Sequence, residues 1–91
     1  MALAIYFHPE SMNAAQYDEV QRRLREAGAG NPKGRTHHSC FGTGDSLMVY
    51  DVWDSQEDFN AFGATLMPIL ESVNLDPGTP DVMPIHNVIQ P

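Results

Sequence analysis

The sequence predicts an α+β fold in the order strand, helix, strand, strand, helix, strand, and three observations point to it. Tyr50 to Phe59 reads as an alternating strand running directly into a capped helix, with Asp51 inside the strand and Trp53 at the junction. Asn13 and Gln16 stand at the reciprocal positions of a capping box, ahead of an apolar period of helical spacing. Gly42-Thr43-Gly44-Asp45 separates two candidate strands in the manner of a hairpin.

Ala2 to His8 forms the first strand, with Leu3, Ile5 and Phe7 on one face and Ala4, Tyr6 and His8 on the other. Pro9 has no donor for a ladder and ends it. Asn13 caps the first helix, whose apolar positions are Tyr17, Val20, Leu24 and Ala27. Gly28, Gly30, Asn31 and Pro32 terminate it. Arg35 to Phe41 is a polar strand and Ser46 to Asp54 its partner. Ser55 then caps a second helix reaching Val73, with Glu57 and Asp58 in the first turn, where the helix dipole favours negative charge. Its buried stripe is Phe59, Phe62, Leu66, Ile69, Leu70 and Val73. Pro68 removes a backbone donor inside that helix and is expected to kink it or end its first segment. Asp76-Pro77-Gly78-Thr79-Pro80 is a loop. The last strand runs from Val82 to Gln90, and Pro84 restricts it to an edge or a bulged start. Right-handed crossovers turn this order into a split βαβ, ferredoxin-like antiparallel sheet, strand order 4-1-3-2, in one domain over residues 1–91. Both helices cover the same face.

Composition narrows the function. A chain this short buries only about 60–65% of the surface its unfolded form exposes. With 42% hydrophobic residues, it would gain from pairing with a second copy. A formal charge of -7 argues against nucleic acid, which requires clustered cations. Arg22, Arg23, Arg25 and Lys33, with Arg35 close behind, form a basic cluster that could meet an anion but is more often a solvated helix face. The single cysteine, Cys40, precludes an intrachain disulfide and fits a reducing, cytoplasmic setting. Met1 to Phe7 lacks a charged n-region and an adequate h-region, so neither a signal peptide nor a membrane span is expected. No Cys-x-x-Cys or His-Glu-x-x-His spacing suggests a metal, no Gly-x-Ser-x-Gly elbow suggests an acyl transferase, and no motif requires a cofactor.

Alternation sorts the strand residues into two sets. Leu3, Ile5, Phe7, Met48, Tyr50, Val52, Met83, Ile85 and Ile89 are nearly all apolar and suit the helix-covered face. Tyr6, His8, Thr36, His38, Cys40, Val49, Asp51, Trp53, His86 and Val88 mix apolar and ionisable groups. Such a mixture lines small-molecule sites, and it also occurs on a sheet face wetted by solvent. Asp51 is the sharpest residue, because a carboxylate between Val49 and Trp53 is costly to bury without a partner. A hairpin through Gly44-Asp45 sets His38 opposite it. The pair is either an acid–base unit or a structural hydrogen bond. His86, on the opposite edge strand, reaches His38 only across a dimer, and His37 is a rim residue. The candidate catalytic residues are therefore His38, Asp51 and His86, and the candidate ligand contacts Tyr6, Val49 and Trp53. Tyr6, Val49, Trp53 and Val88 make the non-helical face apolar enough to predict a homodimer.

At His38, at Asp51 to Phe59, at Leu66-Met67-Pro68-Ile69-Leu70 and at Pro84-Ile85-His86-Asn87, the chain resembles small, largely uncharacterised bacterial proteins. These belong to the dimeric α+β barrel superfamily, with its antibiotic-biosynthesis-type monooxygenases, heme-degrading monooxygenases and muconolactone-isomerase-like proteins. The resemblance implies sheet-to-sheet dimerisation and a pocket between sheet and helices or at the barrel centre. Heme-degrading relatives carry a ligating histidine on the second helix, and Ser55 to Val73 contains none. The Asn, Trp and His set of cofactor-free oxygenases is matched by Trp53 and the strand histidines, whereas Asn87 falls on the other strand face from His86. Two functions follow as expectations. One is a cofactor-independent monooxygenase or isomerase acting on a small aromatic or polyketide-like molecule. The other is a non-catalytic dimeric module that binds a small ligand or serves as an accessory subunit.

Overall fold

Capping sets where the helices begin and end. In the computed structural model, which describes residues 2–91, Asn13 Oδ1 accepts from the Gln16 amide and Gln16 Oε1 accepts from the Asn13 amide, each at 2.9 Å. That box starts α1, Ala14–Glu26. Ser55 Oγ accepts from the Asp58 amide at 3.1 Å and starts α2, Gln56–Ser72. Both helices close with a Schellman motif. Gly28, at φ 76°, lets the Ala29 amide return to the Leu24 carbonyl (2.8 Å). Asn74 takes the same left-handed role at φ 56°, and the Leu75 amide returns to the Leu70 carbonyl (3.0 Å). Leu70 and Leu75 are both buried, so the second motif also seals the core.

The strands are β1 Leu3–Phe7, β2 Arg35–Phe41, β3 Met48–Trp53 and β4 Asp81–Pro84, antiparallel in the order β2-β3-β1-β4. This is the α+β, ferredoxin-like arrangement expected from the element order. β3 starts later than Ser46 because the preceding residues bond elsewhere. The Met12 amide donates to the Asp45 carbonyl (2.8 Å) and the Leu47 amide to the Met12 carbonyl (3.1 Å).

Three expectations need correction. α2 is one continuous helix through Pro68, so the proline does not end its first segment. Pro68 and Ala64, whose carbonyl loses its helical donor, are both exposed, so the lost hydrogen bond lies on the solvent side of the helix. The last strand stops at Pro84 instead of reaching Gln90. Beyond it the Ile85 amide reaches back to the Ala2 carbonyl (3.0 Å).

The third correction concerns the faces. Leu3 lies opposite Trp53, Ile5 opposite Asp51 and Phe7 opposite Val49. Directly opposed residues of an antiparallel pair share a face. The set Leu3, Ile5, Phe7 therefore joins Val49, Asp51 and Trp53 under the helices. Tyr6, opposite Tyr50, lies on the open face with Met48, Val52, Phe41 and Met83. The core is Ile5, Met12, Val20, Leu24, Trp53, Phe62, Leu70 and Leu75. Trp53 is fully buried, edge-on to Phe59 at 5.5 Å and tilted on Phe62 at 5.3 Å. Among the described residues, no helix is long and apolar enough to cross a membrane.

Candidate functional site

Burying a carboxylate beneath the helices demands hydrogen bonds, and β3 carries one such residue. Asp51 is 2% exposed. The hairpin register sets His38 directly opposite it, and His38 Nδ1 lies 2.6 Å from Asp51 Oδ1. Trp53 Nε1 donates to Asp51 Oδ2 at 3.2 Å. On the far side of the imidazole, His38 Nε2 meets the Tyr17 hydroxyl of α1 at 2.5 Å. The Tyr17 and His38 rings lie nearly parallel, with an interplanar angle of 8°. Among the described residues no buried side-chain nitrogen or oxygen lacks a partner.

The direction of these bonds follows from what each group can do. An ionised carboxylate only accepts, so the His38 proton sits on Nδ1 and Nε2 is left to accept from the Tyr17 hydroxyl. Burial raises the Tyr17 pKa above 10.0, with Cys40, Asp51 and Asp18 adding to it against the pull of Arg35. Tyr17 is thus a phenol at neutral pH, and the chain runs Tyr17 O–H to His38 to Asp51, with Trp53 holding the far oxygen. Burial likewise raises the pKa of the neighbouring Cys40 thiol, with Asp18 contributing, so the thiol is a poor nucleophile.

This chain forms one wall of a cavity of about 70 Å³ between the sheet and the helices. Phe7, Val20, Leu24, Val49, Phe62 and Leu66 supply apolar walls, and Pro9, Leu75 and Pro77 contribute loop residues. Arg35 and Gln21 complete the polar part. Arg35 arrives there through a bulge. The β2–β3 register shifts between Arg35 and His37, so Arg35 opposes Trp53 and Thr36 is expelled to the exposed edge. The Arg35 guanidinium carbon lies 5.5 Å from the Phe62 ring centroid, and Nη2 donates to the Gly30 carbonyl at 3.3 Å.

The structure thus brings His38, Asp51 and Val49 together in one pocket. Trp53 stands behind Asp51 rather than on the lining. Tyr6 faces away, across the sheet, where its hydroxyl donates to Met48 Sδ at 2.8 Å. His86 is exposed beyond the end of β4 and is not brought to His38 within this chain. His8 is also exposed and pairs with Asp81 at 3.0 Å. Among the described residues no three His, Cys, Asp or Glu side chains cluster as metal ligands do. Two pocket residues escaped the sequence reading. Tyr17 was visible only as a tyrosine on an apolar helical stripe, where its buried hydroxyl needs a partner. Arg35 stood out only as the last member of a basic cluster, because the bulge that turns it inward has no signature in the residues around it.

No protein-family model matches the chain, and no curated protein matches it. Solved structures do. The crystal structure of SnoaB, a cofactor-independent oxygenase from Streptomyces nogalater, is similar at 15% identity over 97% of this chain and 94% of that one, with a TM-score of 0.64. NE2512, a protein of unknown function from Nitrosomonas europaea, matches at 20% identity over 99% and 94% of the two chains, TM-score 0.64. The Streptomyces coelicolor monooxygenase from the gene ActVA-Orf6, solved with the ligand nanaomycin D, matches at 18% identity over 99% and 90%, TM-score 0.54. At these identities the likeness establishes a shared ferredoxin-like α+β fold, the one found in antibiotic-biosynthesis-monooxygenase-like proteins.

Proposed function

We propose that this chain is a cofactor-independent monooxygenase of small aromatic molecules, with Tyr17, His38 and Asp51 as its proton-transfer chain. The observation that carries the reading is that hydrogen-bonded chain, set into the wall of an otherwise apolar pocket. Cofactor-free oxygenation requires an electron-rich phenol or enol to lose its proton, after which the organic anion itself reduces dioxygen. The Tyr17 oxygen can take that proton while its own passes to His38 Nε2, and Asp51 stabilises the imidazolium that results. The solved neighbours named above as oxygenases share the fold that frames the pocket.

Oxygen uptake with a panel of single-ring, electron-rich phenols tests the proposal. Tyr17→Phe should lower turnover by about 10²–10⁴-fold, the usual worth of a positioned acid–base group. Equal rates in Tyr17→Phe and wild type would reject the chain as the catalytic device.

A second reading, a binding module without turnover, has its own support. Both His38 nitrogens and both Asp51 oxygens already have protein partners. The cavity of about 70 Å³ is also smaller than the ~150 Å³ that admits benzene in an engineered core. A ligand of that size must therefore widen the cavity. Binding of these phenols with no oxygen uptake would favour this second reading.

The open sheet face completes the proposal. Tyr6, Phe41, Met48, Tyr50 and Met83 gather there, with Phe41 43% and Met83 56% exposed. An apolar patch of this kind suits a homodimer, sheet against sheet. A stable monomer by light scattering at micromolar concentration would reject it. The unpaired Cys40 thiol suits the reducing cytoplasm.

A further inference from the structure

We propose that the pocket selects a single-ring aromatic carboxylic acid, with the carboxylate clamped by Arg35 and the ring held among the apolar walls. The inference rests on the pocket being a small-molecule site, as proposed above, and adds the class of molecule.

The first support is the bulge. The register is regular from His37 to Phe41 and breaks only at Thr36. Continued alternation would have placed Thr36 on the His38 side and Arg35 on the other. The irregularity reverses this and brings Arg35 to the inner face and onto the cavity lining, the re-aiming that bulges accomplish beside binding sites. The second support is the state of that arginine. Arg22 pairs with Glu19 and Glu26, and Arg23 pairs with Glu19. Among the described residues no carboxylate oxygen lies within 4.0 Å of the Arg35 guanidinium, in a chain with twelve acids and five bases. Asp51, the carboxylate in the same cavity, is occupied by His38 and Trp53. Among the described residues, one guanidinium donor of Arg35 is used, on the Gly30 carbonyl. A half-buried cation on the lining of an apolar cavity, with no carboxylate beside it, favours an anion there.

The class of anion follows from charge, shape and size. The guanidinium fork matches a carboxylate with two parallel hydrogen bonds. A monoanion balances Arg35, whereas a dianion would leave uncompensated charge beside Asp51. Phe62 holds the guanidinium over its ring and, with Leu24 and Val20, offers flat apolar surface to an aromatic ring. A cavity of about 70 Å³ must already widen for one ring and has no room for several.

Calorimetric titration of the full chain with benzoate and with benzamide, its uncharged isostere, tests this. Benzoate should bind about ten- to a hundredfold more tightly than benzamide, the worth of charge-assisted hydrogen bonds. Arg35→Met should weaken benzoate more than benzamide and bring the ratio to about one, and Arg35→Lys should restore part of it. The ratio within each variant is independent of the fraction folded, since both probes need the same folded pocket. Equal affinities in wild type, failure of both probes to bind, or a ratio unchanged in Arg35→Met would each overturn the proposal. Binding involves no turnover, so the two readings fail separately. Benzoate selection with no oxygen uptake on hydroxybenzoates removes the oxygenase and keeps the anion clamp. Oxygen uptake on phenols with no carboxylate preference does the reverse.

Discussion

Asp51→Asn replaces one carboxylate oxygen with an amide nitrogen and should reverse the direction of the buried chain. In the wild type both Asp51 oxygens accept, from His38 Nδ1 at 2.6 Å and from Trp53 Nε1 at 3.2 Å. Asparagine offers one acceptor and one donor group. Trp53 can only donate, so the asparagine oxygen must stay with it and the amide N–H turns to His38 Nδ1. The ring proton then moves to Nε2, and the Tyr17 oxygen becomes the acceptor across the 2.5 Å contact. Two hydrogen bonds to a charged group, about 1.5–3 kcal/mol each, become neutral ones of about 0.5–1.5 kcal/mol. Relief from burying a charge offsets part of that loss, leaving a net cost of about 1–2 kcal/mol. For a domain of this size the melting temperature should fall by roughly 5–15 °C. Asp51→Leu instead orphans two buried donors at about 1–3 kcal/mol each and should cost about 2–6 kcal/mol. Nitrogen-15 NMR reads the tautomer directly, and the expected result is Nδ1–H in wild type and Nε2–H in Asp51→Asn. The same tautomer in both proteins would refute the bond directions. An Asp51→Leu variant as stable as wild type would refute the role of the carboxylate in satisfying those donors.

Gly34→Ala should destabilise more than Gly28→Ala in denaturant titrations. Both sites have positive φ, worth about 1–3 kcal/mol, but a Cβ on Gly34 would lie 2.3 Å from Asp58 Oδ2 while one on Gly28 meets nothing within 4 Å. Pro68→Ala should stabilise by about 1–2 kcal/mol, because it restores a helical donor on an exposed turn at a small cost in unfolded-chain entropy; a lower melting temperature would contradict this. Hydrogen bonds from Arg22 and then Arg23 hold Glu19 at about 2, below its ordinary 4.5. A depressed carboxylate stabilises above its unfolded pKa, so that contribution should be intact above pH 4.5 and disappear as the pH falls toward 2. Thermal melts of Glu19→Gln across this window should show a shallower acid decline than wild type, and parallel curves would dismiss the effect.

What could be read from the residues depended on the range of the interaction that decides each feature. Capping acts over three positions, so Asn13, Gln16 and Ser55 located both helix starts. The His38–Asp51 pair depends only on the register of one hairpin. It survives although the connection from Gly42 to Leu47 is longer than a tight turn, because the connection adds residues equally to both strands. Face assignment is different. Alternation says which residues of one strand share a side, but not which side of β1 joins which side of β3. Apolar character alone grouped Ile5 with Met48, Tyr50 and Val52. The register puts Ile5 opposite Asp51, and the core tolerates that carboxylate because His38 and Trp53 bind both its oxygens. Hydrophobicity is a poor guide where a buried polar group is fully satisfied, and such groups mark sites. Tyr17 needed the placement of α1 over the sheet, and Arg35 needed a bulge, both set by contacts distant in sequence. The two polar groups that would meet a ligand first are thus the two that the sequence concealed. Asp51, the sharpest residue in the sequence, stands behind His38 and acts through it.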